Sequence, residues 1–149
     1  MNREKILEEA AIGERERTFG LLTVRKITPR DEILFGRLGC KLLSIAILKQ
    51  IADGKVSAEI TEDLAKAVFI CSQDPFRMLS LSKSGADVFE TAFFEWLGNV
   101  DHEVLQRASA WVLTVALEVA AAAFKVADEI IEAPGGHSKN VLSPAERPL

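Results

Sequence analysis

A stretch without glycine or proline, from Asp101 to Ala133, constrains the fold of this chain more than any other feature. Apolar residues recur along it at intervals of three and four, which is the period of an α-helix. We therefore predict one long helix over residues 101–133, capped by Asp101 and about 50 Å long.

The middle of this helix is apolar on most sides, because between Trp111 and Phe124 only Thr114 and Glu118 are polar. Such a helix is surrounded either by its own domain or by a partner chain, and both alternatives stay open. An exposed Glu118 would indicate an amphipathic helix, whereas a buried Glu118 would need a partner charge. The candidate partner-binding residues are Trp111, Val115, Val119 and Phe124.

The rest of the chain divides into shorter elements. Residues 18–28 alternate in polarity and predict a short extended arm. Thr28 and Pro29 are a strong helix start, and we predict further helices over residues 29–53, 61–73 and 85–97. Gly36 and Gly39 lie within the first of these and indicate either a close approach of another backbone or a local kink.

Two segments leave alternatives open. Residues 75–81 form either a helical turn or a packed connector, and the next helix begins at Ser84 or Asp87. Residues 2–17 carry a short helical stripe of apolar positions. We expect the aromatic helix over residues 85–97 to supply the centre of the core, through Phe93, Phe94 and Trp96.

The predicted fold class is mainly α, a helical bundle of about five helices with a short extended N-terminal arm and a long C-terminal helix. With 149 residues, of which 48% are apolar and 27% charged, the chain is expected to form a single helical domain over residues 1–133. Prolines and glycines from Pro134 onward predict a flexible C-terminal tail over residues 134–149.

The net charge of −4 is unevenly distributed. Residues 1–55 hold 11 basic and 8 acidic residues (+3), and residues 56–149 hold 7 basic and 14 acidic residues (−7). This balance argues against nucleic acid as a partner, because phosphate binding needs clustered positive charge. The asymmetry suits head-to-tail contacts between copies, or it reflects two differently solvated surfaces.

Neither a membrane nor a secretory route is expected. A transmembrane span needs about 20 mainly apolar residues, and four polar residues interrupt the long helix: Ser109, Thr114, Glu118 and Lys125. The first residues carry charge where a secretory signal would be apolar. We therefore expect a cytoplasmic protein.

No catalytic, cofactor or metal site is predicted. His102 stands between Asp101 and Glu103, but adjacent helical residues point to different sides, so an exposed helix start is the better interpretation. Cys40 and Cys71 lie within apolar helical patterns, where a free thiol usually acts as a small buried apolar group. Their spacing fits no common metal site.

Three segments together carry a resemblance to a known family. They are the arm and helix start FGLLTVRKITPRD (residues 19–31), the stretch ITEDLAKAVFI (residues 60–70), and the aromatic helix followed by the long last helix. Over residues 18–133 this layout resembles the tail assembly chaperones of tailed bacteriophages.

The resemblance implies a small non-enzymatic helical protein that forms homo-oligomers in the host cytoplasm. Such a chaperone coats the tape measure protein before the tail tube polymerises around it, and a C-terminal extension contacts tail tube subunits. Our leading hypothesis is therefore an assembly chaperone for an apolar helical client. The alternative is a permanent structural component of a viral or cellular particle.

Overall fold

The computed structural model describes residues 15–132, which form one two-stranded antiparallel sheet and six α-helices. The strands are β1 (Glu16–Phe19) and β2 (Leu22–Arg25), and the helices are α1 (Pro29–Leu38), α2 (Ile45–Ala52), α3 (Ala58–Ser72), α4 (Pro75–Lys83), α5 (Ala86–Leu97) and α6 (His102–Glu132). The predicted fold class is confirmed, with the extended arm present as a β-hairpin. The predicted tail over residues 134–149 and the apolar positions of the predicted N-terminal stripe lie outside the described residues.

The chain divides into two compact units, Met1–Ala116 and Leu117–Leu149. The single domain over residues 1–133 that the sequence predicts stays a prediction. The boundary lies inside α6, which is continuous from His102 to Glu132. Helical periodicity is the same on both sides of such a boundary, so the sequence pattern gives no signal of it.

Helix α3 lies at the centre of the first unit, because every residue from Ala65 to Cys71 is buried. It contacts β2, α1, α4 and α5. The ring of Phe69 packs against the rings of Phe89, Phe93 and Trp96 in α5, at centroid distances of 5.8, 5.7 and 5.1 Å. The aromatic residues of α5 thus meet the central helix.

One of the predicted core aromatics is misplaced. Phe93 is 4% exposed, but Phe94 is 77% exposed. Consecutive helical residues point about 100° apart, so the side of α5 that buries Phe93 turns Phe94 outward. The prediction for Phe94 was wrong because the aromatic residues were assigned to the core as a group.

The prediction of one helix over residues 29–53 was also wrong, because the chain breaks between α1 and α2. Gly39 adopts a left-handed conformation with φ of 77°, and its N–H donates to the carbonyl of Phe35, which ends α1. Ser44 then caps α2 through its side chain. The apolar spacing continues across the break at Leu42, which is buried in the connecting loop, so periodicity did not reveal it.

The starts of the other helices agree only in part with the sequence predictions. Thr28 caps α1 with Pro29 in the first turn, as the sequence predicted. Helix α3 begins at Ala58, three residues before the predicted start, because the hydroxyl of Ser57 accepts from the N–H of Ile60 at 3.2 Å. Residues 75–81, which the sequence left undecided, belong to α4, and its N-terminus is capped by Asp74.

A buried ion pair joins the hairpin to α1 and α3. The Asp31 carboxylate is 0% exposed, and its Oδ1 accepts from Nη2 of Arg25 at 2.7 Å. Its Oδ2 accepts from the N–H and the hydroxyl of Thr28, at 3.1 and 3.0 Å. The guanidinium also donates to the carbonyls of Ile70 and Gln73 at the end of α3.

We expect Arg25→Ala to lower the free energy of unfolding by about 3–5 kcal/mol, because it leaves the buried Asp31 carboxylate without its cation. Urea denaturation measures this loss. Arg37→Ala is the matched control: Arg37 is exposed on α1, and its removal should change stability by no more than about 0.5 kcal/mol. Equal effects of the two substitutions would contradict the role of the ion pair.

Opposite effects on stability are expected for alanine at Gly36, within α1, and at Gly39, which ends it. Gly36→Ala should raise stability by up to about 1 kcal/mol, because alanine favours a helix and the added methyl group meets nothing within 4 Å. Gly39→Ala should instead lower stability by about 1–2 kcal/mol, because φ of 77° strains any residue with a Cβ. Thermal unfolding of both variants checks the opposite signs.

Candidate partner-binding surface

Two of the four predicted partner-binding residues belong to the interior of the first unit. Val115 is 3% exposed, so it does not lie on a free surface. Trp111 is half-buried, and its ring centroid lies 6.1 Å from that of Phe19 in β1. The guanidinium of Arg17 lies 5.5 Å from the Trp111 centroid. Trp111 and Val115 therefore serve the fold of the first unit.

The other two predicted residues lie in the second unit, on residues 117–132 of α6, which we call the α6 end. Phe124 is 54% exposed and Val119 is half-buried. Leu117 and Val126 are 39% and 53% exposed. Large apolar side chains exposed close together on one element mark an interaction surface.

The apolar residues of the α6 end form two stripes. Val119 and Val126 continue the helical spacing of the buried Val115, at intervals of four and seven. Leu117 and Phe124, seven residues apart, form a separate stripe. One stripe thus extends the side of α6 that is buried in the first unit, and the other is exposed throughout.

Charged residues also occur on the α6 end. Glu118, Lys125 and Glu129 are all exposed, and their spacing of seven and four places them on one side of the helix. The exposure of Glu118 matches the amphipathic alternative posed by the sequence. A partner of the α6 end would therefore meet apolar stripes bordered by charge.

One helical segment among residues 15–132, His102–Val126, is long and apolar enough to cross a membrane. Within an apolar stretch of 18 residues in this segment, only 22% of the residues are buried. Its first half nevertheless supplies core residues of the first unit, including Ala108 and Val112. What remains up to Val126 is ten residues long and contains Glu118 and Lys125, whereas a span needs about 20 mainly apolar residues.

A mainly apolar cleft of about 400 Å³ opens between the hairpin turn and the start of α6. Its lining residues are Gly20, Leu21, Leu22, Trp96, Asn99, Val100, Asp101 and Val104. A Cβ at Gly20 would lie 3.1 Å from Cγ2 of Val104, so the turn approaches α6 closely. No local sequence pattern marks this cleft, because its lining residues come from two distant stretches of the chain, 20–22 and 96–104.

No local sequence pattern marks a surface that α1 and α4 form together. Ile33, assigned to the apolar stripe of the first predicted helix, is 61% exposed, and Phe76 is 70% exposed. The guanidinium of Arg30 lies 5.9 Å from the centroid of the Phe76 ring. The exposed aromatic and apolar residues here could have been found only by knowing which sides of α1 and α4 face each other.

The polar residues near the start of α6 have a local role. Asp101, His102 and Glu103 are exposed, and Oδ2 of Asp101 accepts from the N–H of Val104 at 3.1 Å. Asp101 is thus the helix cap that the sequence predicted. Within residues 15–132, no group of three side chains is placed to hold a metal ion.

Both cysteines are free and buried. Burial raises the pKa of the Cys40 thiol to about 12 and that of Cys71 further still. The Cys40 thiol donates to the carbonyl of Asp63 at 3.3 Å. The reactive form of cysteine is the thiolate, so these environments suppress nucleophilic chemistry at both positions.

Comparisons of the chain with models of protein families, with curated proteins and with solved structures found no match.

The burial of the thiols predicts their reactivity. At about pH 8, a thiol reagent such as DTNB should label neither cysteine in the folded protein and both in denaturant. Rapid labelling of the folded protein would contradict the burial of Cys40 and Cys71.

The raised pKa of the Cys40 thiol predicts that the free energy of unfolding falls between about pH 9 and pH 12. In this range the unfolded chain releases the Cys40 proton while the folded protein retains it.

Proposed function

We propose that this protein is a non-enzymatic assembly chaperone that binds an apolar helical segment of another protein through the α6 end. The observation that carries the proposal is the exposure of Leu117, Phe124 and Val126 within one short helical segment. Water contact of such side chains is unfavourable by about 25 cal/mol per Å². A client that covers them gains this free energy.

A helical client suits the geometry of the α6 end. Its apolar residues recur at helical spacing, so another helix can lie along a stripe and match it over several turns. The exposed residues Ala121, Ala122 and Ala123 have small side chains that let a second helix approach closely. The same features are used where amphipathic helices bind to apolar grooves.

The layout of the sequence reduces the number of candidate client proteins. Its resemblance to the tail assembly chaperones of tailed bacteriophages supports a tape measure protein or a tail tube protein as the client, in the cytoplasm of an infected host. It also supports a homo-oligomeric chaperone.

A permanent structural component of a viral or cellular particle is the second candidate, because the exposed residues of the α6 end suit a lasting contact as well as a transient one. Mass spectrometry separates the two. A chaperone is found with unassembled subunits and is absent from finished particles, whereas a structural component is present in finished particles at fixed stoichiometry.

The contribution of the α6 end can be tested with a labelled synthetic amphipathic helix rich in leucine and alanine. Fluorescence anisotropy should detect binding to the wild-type protein. Phe124→Asp should weaken this binding by about tenfold or more, because it places a charge in the apolar contact. Phe94→Asp is the matched control, since Phe94 is an equally large exposed residue on α5, and it should bind as the wild type does.

Three results would contradict the proposal. In the first, the wild-type protein does not bind the peptide. In the second, Phe124→Asp and Phe94→Asp weaken peptide binding equally. In the third, the wild-type protein binds neutral lipid vesicles but not the peptide, and Phe124→Asp abolishes the vesicle binding. The last result would assign the α6 end to a membrane surface. Circular dichroism establishes that each variant retains its helical content.

A further inference from the structure

The surface on α1 and α4 combines apolar exposure with a glycine that the fold of the chain does not explain. Gly36 lies in the interior of α1 with a helical backbone, and a Cβ at this position would meet nothing within 4 Å. Glycine here weakens the helix by up to about 1 kcal/mol relative to alanine. Missing side-chain volume on an exposed helix allows another backbone to come close.

Exposed apolar side chains and a cavity lie on α1 and α4. Ile33 lies one turn before Gly36 on α1, and Phe76 is exposed on the adjacent α4. The cavity, of about 270 Å³, is lined by Gly36 together with Leu81, Ala86, Arg37 and Glu90. We call this surface, with its cavity, the α1–α4 groove.

The groove is basic and the α6 end is acidic. The exposed charged residues on α1, on α4, at the cap of α4 and in the lining of the cavity comprise four basic and three acidic side chains: Arg30, Arg37, Arg77, Lys83, Glu32, Asp74 and Glu90. Residues 117–132 contain four acidic residues and one basic residue, Lys125. Opposite net charges on two exposed apolar surfaces of the same chain favour contact between copies.

We propose that the α6 end of one copy docks in the α1–α4 groove of a second copy. Leu117 and Phe124 contact Ile33 and Phe76, and the small side chain of Ala121, which lies one turn after Leu117, faces the opening at Gly36. The acidic residues Glu118 and Glu129 meet the basic residues Arg30 and Arg77.

The contact joins two different surfaces, so each bound pair keeps one free groove and one free α6 end. Heterologous contacts of this kind extend into rings or open filaments. The inference rests on the proposed function only in one respect: a client and a second copy would compete for the α6 end. Self-association would then keep Phe124 covered until a client arrives.

Complementary charge reversals test the contact by sedimentation velocity at several protein concentrations. The groove variant carries Arg30→Glu and Arg77→Glu, and the helix variant carries Glu118→Lys and Glu129→Lys. Each alone should associate about tenfold more weakly than the wild type, because like charges then face each other. An equimolar mixture of the two should recover association, because each variant supplies the native surface that the other lacks.

Matched controls carry the same changes of charge elsewhere on the first unit. Lys49→Glu with Lys55→Glu, and Glu59→Lys with Glu95→Lys, alter exposed residues outside the groove and the α6 end. Both should associate as the wild type does. Gly36→Leu should weaken association by filling the opening, whereas its fold should persist because the side chain enters open space.

A wild-type protein that stays monomeric at every concentration would overturn the proposal, as would a mixture that fails to recover association. Loss of association in the helix variant alone, with the groove variant unaffected, would assign the contact to symmetric pairing of two α6 ends. The groove variant keeps an intact α6 end, so it should bind the labelled helix described above at least as well as the wild type. Peptide binding and self-association therefore succeed or fail separately.

Discussion

The fully buried carboxylate of Asp31 joins three elements of the first unit. Asp31 is fully enclosed, and it accepts hydrogen bonds from Thr28 and Arg25 while it lies in the first turn of α1. The same guanidinium donates to the carbonyls of Ile70 and Gln73, so one ionic contact fixes the hairpin, the start of α1 and the end of α3 together. Burying the Asp31 carboxylate has a large desolvation penalty, which its hydrogen bonds and the guanidinium of Arg25 offset.

Two buried polar residues of α3 also contact other elements. Oδ1 of Asp63 accepts from the N–H of Lys41 at 3.1 Å, and this hydrogen bond joins α3 to the loop between α1 and α2. Lys66 pairs with Glu62 and with Glu90 of α5, both at 3.1 Å. Burial lowers the pKa of Lys66, but hydrogen bonds to Glu62 and Glu90 outweigh it, so the pKa lies above its usual range. The stability that the Lys66 ion pairs contribute is present at neutral pH and is lost as the pH rises through the raised pKa of Lys66.

The sequence predicted features that depend on neighbours along the chain. The caps at Thr28 and Asp101 and the length of α6 all follow from local pattern. Whether a residue of an apolar stripe is covered depends on distant elements, so the sequence assigned Val115 and Phe124 to the same surface although one is buried and the other exposed. Periodicity identifies an apolar stripe, but only the folded structure shows which of its residues other elements bury. The burial of Asp63 and Lys66 was unpredictable for the same reason.

The uncovered part of α6 is too small to form a stable complex through apolar contact alone. Full burial of a large apolar side chain contributes about 1.5–3 kcal/mol, and Leu117, Phe124 and Val126 are only 39%, 54% and 53% exposed. Covering all three would supply on the order of 2–4 kcal/mol, while association loses at least about 4 kcal/mol of translational and rotational freedom. A partner must therefore add contacts along the rest of the helix or opposite charge at its border. A long helical client can supply the first, and the basic α1–α4 groove of a second copy can supply the second.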